Sequence, residues 1–183
     1  RAPQNAAGSD VQINPVASTI TGASSITVEG YRVFDLTASS GTINAAVQTS
    51  VMSNGTAFGN AAAAIRSRLF GAGPLAGLAG IQPGAELINR TGDLTLAATW
   101  DLSTFRFGAD NAPGVLTLRA AGNLNFNFAT SLSDGFGGGG SVPLWQQPML
   151  AAGTRSWTYH LTAGADVNAA DYRAAQPLAS LAA

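Results

Sequence analysis

Gly92-Asp93-Leu94-Thr95-Leu96-Ala97-Ala98 reads almost the same as Gly114-Val115-Leu116-Thr117-Leu118-Arg119-Ala120, 22 residues further on. In both, leucine alternates with a smaller or polar residue, the period of a strand with one buried face. A similarity at a fixed spacing of 20–50 residues is the mark of stacked structural units. A shorter echo, Gly122-Asn123-Leu124-Asn125-Phe126, continues into the cleanest alternating run of the chain, Leu124 to Phe128. The Gly and Asn residues beside these runs suit tight left-handed corners. Working outward, Val11-Gln12-Ile13, Ile26-Thr27-Val28, Tyr31-Arg32-Val33-Phe34 and Trp157-Thr158-Tyr159-His160-Leu161 carry the same alternation. The expectation is an all-β solenoid whose coils bury a shared aliphatic stripe, each coil depending on its neighbours.

Two stretches interrupt the pattern. Residues 44–70 read as a short helical insertion, with a helix over Asn60–Phe70 capped by Asn60 and stopped by Gly71, and another turn or two over 45–53. Residues 133–148, with four consecutive glycines at 137–140, read as a flexible excursion that returns near Trp157. The apolar run Leu69–Ile81 carries Gly71, Gly73, Pro74, Gly77 and Gly80 and reads as a loop. It is shorter than the roughly 20 residues a bilayer-spanning helix needs. The alanine-rich tail, 168–183, reads as loop.

Composition narrows the function. Apolar residues make up 46% of the chain, enough for a packed core, while only 10% are charged, against roughly 25% in an average domain. All nine basic residues are arginine, scattered except for Arg66 and Arg68, and the net charge is −1. No basic stripe exists to neutralise a phosphate backbone, so nucleic acid is not an expected partner. With no cysteine, disulfides, thiolate metal sites and a cysteine nucleophile are excluded.

The residues that bear chemistry form no motif. His160 is the single histidine and shares a polar strand face with Thr158 and Thr162. No Gly-x-Ser-x-Gly elbow accompanies it. Glycosidases need two placed carboxylates; the best acidic group is Glu86, Asp93 and Asp101, which flank one strand run. Asp166, Asn168 and Asp171 start like a calcium loop, but Pro177 stands where the closing glutamate belongs. No catalytic residue, cofactor site or metal site is therefore expected. Trp157 is expected in the core and Trp100 as a cover on the outside of the shaft. Trp145, in Pro143-Leu144-Trp145-Gln146-Gln147-Pro148, is the candidate surface contact, an aromatic that either stacks on a glycan or partner or pins the loop onto the shaft.

The longer phrases resemble one family. They are Gly84-Ala85-Glu86-Leu87-Ile88-Asn89 with Gly92-Asp93-Leu94-Thr95-Leu96, Pro113 to Leu124 running on to Ser131-Leu132-Ser133-Asp134-Gly135-Phe136, and Ile26-Thr27-Val28-Glu29-Gly30-Tyr31. Over most of residues 20–170 the chain resembles the filamentous-haemagglutinin-type exoproteins of Gram-negative bacteria. The resemblance implies a right-handed parallel β-helix shaft and export by two-partner secretion through an outer-membrane transporter. It also implies a secreted, cell-surface location and a structural, adhesive role toward a host cell, neighbouring cell or glycan. Residues 1–183 read as one segment of a much longer chain, able to associate end to end. Two other functions remain in play. One is a subunit of an extracellular filament. The other is a carbohydrate-active enzyme, which requires Glu86, Asp93 and Asp101 to converge near an arginine in a groove.

Overall fold

A computed structural model describes residues 1–136, 143 and 146–180. Its largest sheet has five strands in the order β1 (Ala2–Pro3), β2 (Ile26–Asp35), β4 (Ala79–Asn89), β7 (Val115–Ala120) and β10 (Thr158–Thr162). A second sheet orders β3 (Thr42–Ile43), β5 (Leu94–Leu96) and β8 (Leu124–Phe126), and a third pairs β6 (Trp100–Asp101) with β9 (Leu132–Ser133). Every strand pair in these sheets is parallel. Two α-helices, α1 (Ala45–Phe70) and α2 (Pro74–Leu78), separate β3 from β4.

The molecule is thus mixed α/β, which corrects the expectation of an all-β right-handed parallel β-helix. Sheets of five, three and two strands do not close into a solenoid of equal turns. The spacing of the units is also different from the expected one. Leu94 lies beside Leu124 and Leu87 beside Leu118. The 22-residue match instead aligned β5 of the second sheet with β7 of the first. Both strands present Leu-x-Leu to the interior, so burial alone made their sequences alike. The Gly122-Asn123-Leu124 echo is the true neighbour of Gly92-Asp93-Leu94.

The helical stretch is a second correction. It is one 26-residue helix, capped by Asn44, whose side chain accepts from the Val47 amide, and ended at Gly71. Asn60 lies inside it. The apolar run after it forms α2, with Pro74 at its start, and then enters β4 rather than a loop.

Far from being an appendage, α1 joins two clusters of the interior. Val51 and Met52 pack with Leu87, Leu116 and Leu118 of the large sheet, Ile43, Leu94 and Leu96 of the second, and Trp100 and Leu102. Phe58, Ala62, Ile65 and Leu69 pack with Ala2, Val11, Val28 and Ile81. Gly30 makes this approach possible, because a Cβ there would stand 2.1 Å from the Phe58 ring. Each fully buried side chain of this size contributes about 1.5–3 kcal/mol. Trp100 is 2% exposed and part of this interior, not a cover on the outside. Trp157 is also buried and meets Phe107 edge-on at 5.6 Å.

The outer face of β7 is covered as well. The segment after β10 folds back, its Gly164 and Ala165 amides donating to Gly122 and Ala120 carbonyls at 2.7 Å. All six residues of β7 are buried in consequence, as is usual when both faces of a parallel sheet are covered.

The start of the stretch 133–148, read as a flexible excursion, is part of the folded unit. Ser133 belongs to β9, and the buried Asp134 accepts from the Trp157 amide at 2.5 Å and the Tyr159 hydroxyl at 3.1 Å. Burial, then the Asp134 charge, pushes the Tyr159 phenol well above its ordinary value. Phe136 bridges Met149 where the chain returns. Glycines 137–140 and Trp145 lie outside the described residues.

Candidate functional site: a groove along the long helix

One face of α1 and the 99–105 segment form the walls of a groove of about 760 Å³. On the helix wall Gln48, Met52, Thr56 and Asn60 recur every four residues, with Thr49 and Ser53 in the row beside them, so that they share a face. Across from it stand Thr99, Trp100, Asp101 and Phe105. The buried Gln48 amide reaches across to the Ala98 carbonyl at 2.8 Å and fixes the separation of the walls.

The floor is apolar, made by Met52, Trp100 and Phe105, and the rim is polar. Thr49 and Thr56 donate to the helix carbonyls of Ala45 and Met52 at 2.9 and 3.0 Å, which leaves their hydroxyl oxygens able to accept. Asp101 uses one carboxylate oxygen on the Ser103 amide at 2.9 Å. The buried Trp100 indole nitrogen has no hydrogen-bond partner among the described residues. Among the described residues lining the groove, Asp101 is the one that carries a charge. An apolar floor with a few hydroxyl, amide and carboxylate groups is the chemistry of a site for a hydroxyl-rich, uncharged ligand.

No family model, curated protein or solved structure matches this chain. The geometry of the site is therefore what speaks to function.

The three carboxylates singled out in the sequence do not come together. Glu86 lies on the outer face of the large sheet, where Arg119 donates to it at 2.7 Å. Asp93 sits at the corner before β5 and binds the Asn123 amide at 2.7 Å and the Asn125 side chain at 2.9 Å. The Asn123 amide first, then the Asn125 and Asn123 side chains, hold its carboxyl below the ordinary value. Asp101 alone lines the groove. His160 stays on the outer face and meets the Tyr172 ring edge-on at 5.0 Å. Asp166 and Asp171 accept from the amides two residues on, at 3.1 and 2.9 Å, as turn-forming aspartates do. Among the described residues no group of three metal-ligating side chains gathers, and no described helix is long and apolar enough to cross a membrane.

Sequence reasoning missed the groove. Its helix wall is Ser, Thr, Asn and Gln without a motif, in a stretch read as helical only at its two ends. The one available signal was the recurrence of small hydroxyl residues at 49, 53 and 56, visible only once a helix over 45–70 is assumed.

Proposed function

We propose that this chain is a non-enzymatic structural and adhesive segment of a secreted, filamentous-haemagglutinin-like surface protein, and that it attaches to neutral glycans through the groove along α1. The observation that carries this reading is the groove itself: an apolar floor, a rim of neutral hydrogen-bonding groups and a single charge, Asp101. A sugar matches it by laying an apolar ring face on Met52 and Phe105 while its hydroxyls meet Thr, Ser and Asn. With no arginine among the described lining residues, anionic sugars are disfavoured.

The carboxylates support the non-catalytic part of the reading. A glycosidase holds its two carboxyl groups roughly 5–9.5 Å apart across one bond, whereas Glu86, Asp93 and Asp101 line three different clefts. Export through an outer-membrane two-partner-secretion transporter, and a place at the bacterial surface, come with the family resemblance and stand or fall with it.

A specific observation also favours assembly from several copies or segments. β10 and β8 each leave one edge unpaired among the described residues. Phe126, Phe128 and Leu161 are exposed there, Leu161 continuing the buried row of Leu87 and Leu118. An unguarded edge with apolar side chains invites further strands.

The test is retention of the immobilised chain on a panel of neutral and sialylated oligosaccharides. The intact chain is expected to retain a subset of neutral ones, and Ser53→Trp, which fills the groove from an exposed helix position, to lose at least ten-fold in retention. Arg173→Ala, remote from the groove, is expected to leave retention unchanged. Binding confined to anionic glycans, binding indifferent to Ser53→Trp, or shortening of the oligosaccharides on incubation would each contradict the proposal.

A further inference from the structure

Arg1 lies across the outer face of the large sheet, with its guanidinium between two aromatic rings. The Tyr31 ring centroid is 4.1 Å from its central carbon and the Tyr172 centroid 4.3 Å. Its Nε donates to Glu29 at 2.9 Å and its Nη2 to Glu86 at 2.7 Å. Two flat π faces and two carboxylates at the guanidinium edge form a complete recognition set for this planar cation.

Each member of the set is held by something other than Arg1. Arg119 donates to the second oxygen of Glu86 at 2.7 Å and to the Asp166 carbonyl at 2.5 Å. His160 supports Tyr172 edge-on. Tyr31 and Glu29 are fixed on β2 by its pairing with β4. Glu29 also lies flat over Gly84, where a Cβ would come within 2.3 Å of its carboxylate oxygen. The cage therefore keeps its shape when the arginine side chain withdraws. It then holds Glu29 and Glu86 against the guanidinium of Arg119, while the two other arginines nearby, Arg90 in the same cleft and Arg173 at 5.8 Å from the Tyr172 ring centroid, are paired with Asp35 and Asp171, so the balance facing the vacated space is negative.

We propose that Tyr31, Tyr172, Glu29 and Glu86 form a binding site for the arginine side chain of a partner peptide, and that Arg1 is its tethered occupant. The side chain of Arg1 is 17% exposed, so the site opens to solvent along one edge. Burial pulls the Arg1 guanidinium down, but Glu29 and Glu86 outweigh burial and the net shift is upward, as a cage selective for a cation requires. A lysine ammonium fits less well, because it is a compact charge that cannot fill the slot between two rings and reach both carboxylates at once. While tethered, Arg1 competes at high effective concentration, so a free ligand gains access only when Arg1 is removed or drawn away.

The experiment compares the intact chain with Arg1→Gln, titrating N-acetyl-arginine amide and N-acetyl-lysine amide. Arg1→Gln is expected to bind the arginine derivative at least ten-fold more tightly than the intact chain does, and at least five-fold more tightly than it binds the lysine derivative. Adding Tyr172→Ala to Arg1→Gln is expected to remove the binding. Equal binding by the intact and Arg1→Gln chains, no binding by either, or equal affinity for the two derivatives overturns the proposal. Should Arg1→Gln fail to fold, excess N-acetyl-arginine amide added to the intact chain must shift the ring resonances of Tyr31 and Tyr172, and unshifted rings overturn it.

Discussion

Replacing Phe58 with alanine is expected to lower the unfolding free energy by about 3–5 kcal/mol, the range for deleting a buried aromatic ring. Phe58 is fully buried and packs among Val11, Val28, Ile65 and Ile81. The backbone at Gly30 presses so close to its ring that no side chain could stand between them. The space vacated cannot collapse easily, because α1 is held on both sides of the gap: by Val51 and Met52 in one cluster and by Ile65 and Leu69 in the other. Equilibrium unfolding in urea measures the loss, and Phe58→Leu should recover much of it. A change of less than about 1 kcal/mol would mean that the helix packs only loosely on the sheet, since surface changes fall in that range.

Glu86→Ala should have a comparable effect, about 3–5 kcal/mol, for a different reason. Glu86 and Arg119 are 6% and 5% exposed and meet at 2.7 Å. Removing the carboxylate leaves the Arg119 guanidinium buried, with the Asp166 carbonyl as its remaining hydrogen-bonded partner and with its Nε already unpartnered among the described residues. It also takes away one of the two carboxylates that hold Arg1. The penalty comes from the orphaned charge rather than from the value of the pair. Exchanging both residues, as in Glu86→Leu with Arg119→Met, should therefore be milder than Glu86→Ala alone. If the double variant is the less stable of the two in urea unfolding, the pair itself is a source of stability and this reasoning fails.

Most strands were legible in the sequence, although Val11–Ile13, which alternates in the same way, makes only an isolated bridge at Val11. Ile26–Val28, Leu94–Leu96, Leu116–Leu118, Leu124–Phe126 and Thr158–Leu161 all fall in strands, because alternation is a local consequence of having one buried face. Which strand lies beside which was not legible. Leu-x-Leu in β5 and in β7 looks the same whether the two are neighbours or members of different sheets, and they are the latter. Only the two ends of α1, 45–53 and Asn60–Phe70, read as helical, and the join between them contains Gly55 and Gly59. In the fold they are where Phe107 packs against the helix, at sites where a Cβ would come within 2.7 Å of that side chain. Tertiary contact offsets the roughly 1 kcal/mol that each glycine costs a helix. The groove and the arginine cage were out of reach for the same reason. The cage draws on residues 1, 29, 31, 86 and 172, which only the parallel pairing and the folded-back terminal segment bring together. Trp145, the contact residue that the sequence did suggest, lies outside the described residues.

Both the mixed α/β fold and the groove require α1 to be a fixed wall of the same cooperative unit as the parallel sheet. Native-state hydrogen exchange of the whole chain reads this directly. The amides of Phe58, Ala62 and Ile65 in α1 are expected to exchange with the same opening free energy as those of Leu87 in β4 and Leu118 in β7, all of them by global unfolding. If the helix amides exchange a hundred-fold or more faster than the strand amides, α1 detaches on its own, and the fold and the groove built on it are both contradicted.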